Sequence, residues 1–169
     1  ISTLYEGTTG IQALDLLGRK VMVGTRGKCV RDFTAEVMRF AKPHALSRGP
    51  LGKMARSLIW RSLQWNLLTT RLMMRSAKDR DQVGASSVDY LMYSGYVMMG
   101  YHWALQAAKA SELLGSGAGQ APEEFYRTKI HTAEFYFARL LPRADAHQRL
   151  AMASTKSLLQ IDKAHMQID

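Results

Sequence analysis

Apolar residues recur at intervals of three and four along most of the chain, which is the spacing of one face of an α-helix. Alternation with a period of two, which is typical of strands, is scarce. Glycine and proline fall in a few short clusters that separate the periodic segments. The pattern therefore predicts an all-α fold, a helical bundle of about five or six helices.

The proline, glycine and polar residues between the periodic segments predict where the helices begin and end. Pro43 is expected to end the second helix, since proline cannot continue a helix. Ser86 or Ser87 is expected to cap the fourth, after a polar connector that starts at Asp79. The predicted helices span about 9–23, 28–41, 51–78, 87–114, 122–141 and 144–163.

The first three helices each have a predicted inner face. For the third helix, basic residues are expected to line another side. The inner-face residues are Ile11, Leu14, Leu17 and Val21, then Val30, Phe33, Val37 and Phe40, then Met54, Leu58, Trp65 and Leu72.

The stretch 90–108 contains no charged residue and approaches the length of a membrane-spanning helix. Its polar residues, among them Ser94, make membrane insertion unfavourable, so we expect no membrane span. The stretch is instead predicted to be the central helix of the bundle. Gly95 and Gly100 are expected to let a neighbouring helix approach closely, and His102 to be a hydrogen-bonded core histidine.

The composition favours one globular domain without internal disulfide bonds. A chain of 169 residues, 47% hydrophobic, is long enough for a single core. The single Cys29 excludes an internal disulfide framework and is expected to be a buried thiol in a reducing, cytoplasmic location. The start of the sequence has no secretory leader pattern, and the absence of an initiator Met favours a fragment or a processed product.

The net charge of +9 is concentrated in one part of the chain. Between Glu36 and Asp79 there is no acidic residue. A solvated or domain-facing surface is the favoured interpretation, ahead of nucleic-acid binding, because zinc-finger spacing and other recognition motifs are missing. The basic residues of this stretch are Arg39, Lys42, Arg48, Lys53, Arg56, Arg61, Arg71, Arg75 and Lys78.

Metal chemistry is not expected. None of the five histidines stands three or four residues from another, so no helix presents a two-histidine face. Asp162 and His165 share a face near the C-terminus, where helix fraying makes a poor metal site. The aromatic runs Phe125-Tyr126 and Phe135-Tyr136-Phe137 are expected to be core rather than part of a cofactor site.

Glu6 is the strongest candidate for chemistry. It lies on a glycine-flanked turn before the first helix, in the run Tyr5-Glu6-Gly7-Thr8. A carboxylate on a tight turn in a water-excluding site can serve as a general base, since desolvation raises its pKa. The same run also suits a plain turn with Thr8 or Thr9 as helix cap. From the residues alone, the plain turn is favoured.

The segment 1–20 resembles the catalytic-base loop of the acyl-CoA dehydrogenases. The resemblance implies that Glu6 removes the α-proton of an acyl-CoA thioester while the β-hydrogen passes as hydride to FAD. It further implies that Tyr5 and Gly7 contact substrate. The residues implied to contact FAD are Thr8, Thr9 and Gly10, although many family members carry Gln at the last of these positions.

The remaining residues resemble the helical C-terminal extension of a bacterial subgroup that includes 3-methylmercaptopropionyl-CoA dehydrogenases. Residues 135–142, Phe-Tyr-Phe-Ala-Arg-Leu-Leu-Pro, match it most readily. The resemblance implies that residues 1–42 hold the catalytic-base loop and the last helices of the catalytic domain, and residues 43–169 the extension, packed as one unit.

The resemblance also implies partners. The intact enzyme would use FAD, act on an acyl-CoA, pass electrons to an electron-transfer flavoprotein and form a homo-oligomer. This chain, without the remainder of the catalytic domain, is expected to bind no flavin and to be inactive. Two alternatives stay open: a non-enzymatic helical interaction or oligomerisation module, and a basic nucleic-acid-binding domain.

Overall fold

The computed structural model describes residues 8–159, and every regular element within them is helical. The all-α prediction is therefore confirmed. The elements, in order, are α1 (Thr9–Leu14) continuing as a π-helix (Asp15–Gly24), α2 (Lys28–His44), α3 (Pro50–Ser76), α4 (Asp81–Ser116), α5 (Glu123–Phe135) continuing as a π-helix (Tyr136–Leu140), a 3₁₀ turn (Leu141–Arg143), α6 (Ala144–Ala151) and the short α7 (Lys156–Leu159).

The long helix α4 is the centre of the bundle and packs against α1, α3, α5 and α6. Two groups of buried residues form the core along its length. The first group contains Leu17, Val30, Trp65, Leu68, Leu72, Tyr90, Tyr93 and Val97, and the second contains Val37, Met54, Leu58, Tyr101, Ala104 and Ala133. Because α2 and α3 contribute to both groups, the described helices share one continuous core.

The expected inner face of α1 is half correct. Leu17 and Val21 are buried, as predicted, but Ile11 is 67% exposed and Leu14 is 46% exposed. The third buried residue is Ala13, so the inner positions lie four apart. Residues spaced by four share one face of a helix, so Ala13, Leu17 and Val21 turn inward together and Ile11 and Leu14 fall outside that stripe.

Helix α4 begins six residues earlier than predicted. The Asp79 carboxylate accepts the backbone N–H of Asp81 at 3.0 Å, which serves the first turn. Ser86 and Ser87 lie inside the helix and are buried. The Ser86 hydroxyl donates to the Ala151 carbonyl at 2.6 Å, so its polarity serves a contact with the 151–153 segment rather than a helix cap.

The predicted sixth helix is interrupted after Ala151. The break is held by side chains from other helices: Arg75 donates to the Met152 carbonyl at 2.6 Å, and Thr155 donates to Asp79 at 2.7 Å. These partners lie 76 or 77 residues away in sequence, so local periodicity carried no sign of them. The predicted positions beyond residue 159, among them Asp162 and His165, lie outside the described residues.

Several local predictions were wrong. Cys29 is exposed, and its Sγ accepts a hydrogen bond from Thr25 at 3.1 Å. His102 is exposed rather than a core histidine, because it falls on the outer side of α4. Pro43 lies within the last turn of α2, which ends one residue later. Proline loses only one terminal hydrogen bond there, so the helix continues through it.

Gly95 and Gly100, the glycines predicted to allow a close helix approach, differ in their surroundings. A Cβ at Gly100 would lie 3.5 Å from Leu141 and 3.6 Å from Leu58, which is ordinary contact with side chains, so the packing there does not require glycine. Gly95 is exposed, and a Cβ at this position would meet nothing within 4 Å. Among the described residues, no helix has the length and apolar character needed to cross a membrane.

Candidate functional site

The structure describes only part of the predicted site. Tyr5, Glu6 and Gly7 lie outside residues 8–159, and their roles stay predictions. Thr8, Thr9 and Gly10 form the start of α1. All three are exposed, at the outer end of the helix and away from the bundle core.

Thr8 is the N-cap residue of α1. The Thr8 carbonyl accepts the N–H of Gln12 at 2.8 Å, and the Thr8 side chain makes no capping hydrogen bond. Thr8 therefore occupies the predicted cap position, but without a side-chain capping bond. A Cβ at Gly10 would meet nothing within 4 Å, so this chain does not itself require glycine there.

The same end of α1 presents apolar side chains to its surroundings. Ile11 is 67% exposed and Leu14 is 46% exposed, although Ala13 between them is fully buried. The exposed side chains of Ile11 and Leu14 form an apolar surface at this end of the helix. This surface adjoins Thr8 and Gly10.

Charged residues follow directly on the outer face of the π-helix. Asp15 accepts hydrogen bonds from Arg19 and, at 3.2 Å, from Lys20. The bond from Arg19 is the main cause that lowers the pKa of Asp15 below its usual value. Asp15 is thus an ion-paired carboxylate and is not suited to act as a base.

The basic stretch of α3 surrounds an apolar centre. Trp60, Leu63 and Leu67 lie on its outer face and are 61%, 49% and 46% exposed. Arg56 precedes them on this face, and Arg71 follows them. The outer side, which basic residues were expected to line, is therefore apolar in its middle and cationic at its ends.

Several cations of this stretch have partners within the bundle. Arg56 donates to the Ala45 carbonyl at 2.6 Å, and Arg75 to the Met152 carbonyl at 2.6 Å. Arg61 is 9% exposed and is paired with Asp145. These contacts leave less of the positive charge available to a partner than the sequence suggested.

A groove of about 380 Å³ lies between α3 and the end of α5. Pro50, Lys53 and Met54 form one wall, and Glu134 and Phe137 form the other. Its lining is mainly apolar, with one cation and one carboxylate at its edge. Part of the 135–142 segment therefore lines this groove, whereas Tyr136 and Leu141 belong to the core.

One pair of titratable residues was missed from the sequence. His147 Nδ1 lies 2.8 Å from Asp89 Oδ1, and the His147 ring stacks on Tyr96 at 5.7 Å. The pair joins α6 to α4 across 58 residues of sequence, which no local pattern reveals. Among residues 8–159, no group of three potential ligands could hold a metal ion.

Most of this helical bundle is covered by one family model. The model described as "Acetyl-CoA dehydrogenase C-terminal like" matches residues 33–162. The chain belongs to this acyl-CoA dehydrogenase C-terminal family. The resemblance read from Phe135–Pro142 and from the extension as a whole is thereby confirmed.

Two curated proteins extend the match toward the start of the chain. The chain is 34% identical over 158 residues to a 3-methylmercaptopropionyl-CoA dehydrogenase of Ruegeria pomeroyi, covering 89% of this chain and 25% of the relative. It is 29% identical over 171 residues to the broad-specificity linear acyl-CoA dehydrogenase FadE5 of Mycobacterium tuberculosis, covering 97% and 28%. The acyl-CoA dehydrogenase C-terminal bundle thus spans about a quarter of the length of these relatives.

Proposed function

We propose that this chain is the part of a flavin-dependent acyl-CoA dehydrogenase that supplies the catalytic base, followed by a helical extension. The proposal rests on the match to the dehydrogenase C-terminal family. The run Tyr5-Glu6-Gly7-Thr8 directly before α1 supports it. The intact enzyme would introduce a double bond between Cα and Cβ of an acyl-CoA thioester.

Glu6 is proposed as the base that removes the α-proton. A site closed to water raises the pKa of a carboxyl and so improves it as a base at neutral pH. Tyr5 and Gly7 are proposed to contact the substrate. FAD, when bound, accepts the hydride from the β-carbon.

The described residues fit a neighbouring flavin. Thr8, Thr9 and Gly10 are exposed at a helix N-terminus, where backbone N–H groups favour an anionic or polar group. The open space around Gly10 leaves room for a bound group. Ile11 and Leu14 are proposed to pack on the catalytic domain, which would hold most of the flavin and CoA sites.

The other assignments belong to the same proposal. Electrons would pass to an electron-transfer flavoprotein, the enzyme would be a cytoplasmic homo-oligomer, and residues 43–169 would form the extension. The 169-residue chain alone is expected to bind no flavin and to be inactive, so its purified form should show no visible flavin absorbance.

The test is Glu6→Gln in the longer enzyme that contains this chain. Loss of the base is expected to lower kcat by about 10²–10⁴-fold. Flavin content and acyl-CoA affinity should be retained, because the substitution preserves shape. Glu124→Gln, an exposed glutamate in the first turn of α5, is the matched control and should leave kcat unchanged. If the Glu6→Gln enzyme turned over at the wild-type rate, Glu6 would not be the base.

A further inference from the structure

Two adjoining clefts lie between the end of α3 and the segment that follows α6. The first has a volume of about 350 Å³ and is lined by Arg71, Met74, Arg75, Lys78 and Met152. The second has a volume of about 400 Å³, shares Arg75, Lys78 and Met152 with the first, and extends along residues 154–156. Because they share these residues, the two clefts form one concave surface, which we call the basic cleft.

The cations of the basic cleft are Arg71, Arg75, Lys78 and Lys156. None of them forms an ion pair within residues 8–159. Other exposed cations of the bundle, among them Lys28, Arg39 and Lys109, pair with a carboxylate three or four residues away. The basic cleft therefore concentrates positive charge that the described part of the chain does not neutralise.

Asp79 is the one carboxylate among the described residues that line the basic cleft, and it is already engaged. Its Oδ1 accepts the backbone N–H of Asp81 at 3.0 Å, and its Oδ2 accepts the hydroxyl of Thr155 at 2.7 Å. The carboxylate thus holds residues 154–156 against the start of α4. It does not serve as the counter-ion of the four cations.

Arg75 is oriented by the backbone of the opposite wall. Its Nη1 donates to the Met152 carbonyl at 2.6 Å. This bond uses one of the five N–H donors of the guanidinium, and the side chain makes no other hydrogen bond within residues 8–159. Arg75 is thus fixed at the centre of the basic cleft with donors to spare.

We propose that the basic cleft binds an oligophosphate group of a soluble molecule. A guanidinium binds phosphate oxygens through parallel hydrogen bonds, and a lysine ammonium adds a mobile point charge. A compact anion with several negative charges can reach all four cations at once, and each cleft has the volume of a small-molecule pocket. A protein surface laid over the cleft would strip water from these cations at a free-energy cost, unless it supplied matched acidic groups.

Calorimetric titration of the 169-residue chain with inorganic pyrophosphate tests the site. One pyrophosphate is expected to bind per chain. Arg71→Gln combined with Lys78→Gln should raise the Kd by at least about tenfold, because charge-assisted hydrogen bonds are lost. Neither side chain has an ion-pair partner among the described residues, so urea unfolding of this double variant should match wild type.

Lys42→Gln combined with Lys53→Gln is the matched control. It removes the same amount of positive charge from exposed residues at the other end of the α2–α3 pair. Lys53 lies about 27 Å along α3 from Arg71, well beyond the screening length of about 8 Å at physiological salt. The Kd should therefore stay near that of wild type. Equal effects of the two double variants would show attraction to net charge alone and would overturn the proposal.

Methyl NMR of the wild-type methionines locates the bound anion without any substitution. Met74 and Met152 line the basic cleft, whereas Met54 lines the groove between α3 and α5. Pyrophosphate should shift the methyl signals of Met74 and Met152 and leave that of Met54 in place. A shift of Met54 as large as those of Met74 and Met152 would place the anion elsewhere and would overturn the site.

A lipid headgroup is the other source of phosphate, and vesicles distinguish it. A phosphodiester headgroup carries a single negative charge on its phosphate, so it should satisfy the four cations less well than pyrophosphate does. The chain is expected not to sediment with vesicles of phosphatidylcholine and phosphatidylglycerol in equal parts. Sedimentation that Arg71→Gln with Lys78→Gln abolishes, without measurable binding of pyrophosphate, would overturn the soluble ligand.

The same titration with the longer enzyme that contains this chain tests whether the basic cleft stays open. Pyrophosphate should bind the longer enzyme with a Kd close to that of the 169-residue chain. Binding by the chain that is lost in the longer enzyme would show that the remainder of the protein covers the cleft, and would overturn the proposal. These readouts involve neither flavin nor turnover, so their outcome is separate from that of Glu6→Gln.

Discussion

Arg61 of α3 and Asp145 of α6 are joined by two parallel hydrogen bonds, although they are 84 residues apart in sequence. The second bond, from Nη2 to Oδ2, measures 2.8 Å. The Arg61 side chain is 11% exposed and that of Asp145 is 49% exposed. The pair therefore ties α6 to the centre of the bundle at the edge of the core.

The pair lies beside a second buried link. Tyr93 of α4 donates its hydroxyl hydrogen to the Arg61 carbonyl at 2.9 Å. Burial is the main cause that raises the pKa of Tyr93 well above its usual value. The phenol thus stays neutral at physiological pH and can donate this bond, which fixes α3 against α4.

Asp145→Asn is expected to lower the free energy of unfolding by about 1–3 kcal/mol, because Arg61 would keep its partly buried charge without a carboxylate partner. Urea denaturation at neutral pH measures this change. Asp15→Asn removes an ion pair whose Arg19 partner is 70% exposed, and should lower the free energy of unfolding by clearly less than Asp145→Asn, because solvent screens an exposed pair. Equal effects of the two substitutions would show that the pair does not hold α6.

The Asp145 carboxylate is expected to make the free energy of unfolding depend on pH. The hydrogen bond from Arg61 is the main cause that lowers the pKa of Asp145 below the ordinary 3.8. A lowered pKa in the folded state means that the contribution is fully present above the ordinary value and is lost as pH falls through the folded value. The stability difference between wild type and Asp145→Asn should therefore hold from pH 7 to about pH 5.

Below the ordinary carboxyl pKa that difference should shrink, as Asp145 becomes protonated in the wild type. Urea unfolding at several pH values between 7 and 3 checks this. A difference that grows on acidification would contradict the assigned direction of the pKa shift.

The presence of helices α2 and α3 could be predicted from the sequence, because apolar residues recur at helical spacing along the whole of their buried faces. Val30 and Val37 on α2, and Leu58 and Leu72 on α3, are buried at the spacing that defines them. Ser86 and Gln82 could not be placed in the same way. Gln82 donates to the Ser86 hydroxyl, and both side chains donate to the Ala151 carbonyl on a distant segment, which makes their polarity compatible with burial.

The candidate site likewise contains residues that local sequence signals could place and residues that they could not. Thr8 could be placed before α1 from local signals, and the structure puts it at an exposed helix start. The outward position of Ile11 follows from the inward stripe of Ala13, Leu17 and Val21, in which a small alanine holds the place expected for a larger apolar residue. The pairing of His147 with Asp89 likewise depends on the packing of α6 on α4.

Two glycines inside helices predict opposite responses to alanine. A Cβ at Gly52 in α3 would lie 1.9 Å from the Ser47 carbonyl oxygen, whereas one at Gly84 in α4 would meet nothing within 4 Å. Gly52→Ala should therefore destabilise the chain by about 1–3 kcal/mol, because the clash is with backbone that must shift. Gly84→Ala should stabilise it by about 0.5–1 kcal/mol through helix propensity.

Thermal and urea unfolding of the two variants, each compared with wild type, measure these changes in stability. Because both substitutions add one methyl group within a helix, their difference isolates the approach of residue 47 to α3. If Gly52→Ala were as stable as Gly84→Ala, the loop between α2 and α3 would have to accommodate a Cβ without cost. In that case the close contact would not be what requires glycine at the start of α3.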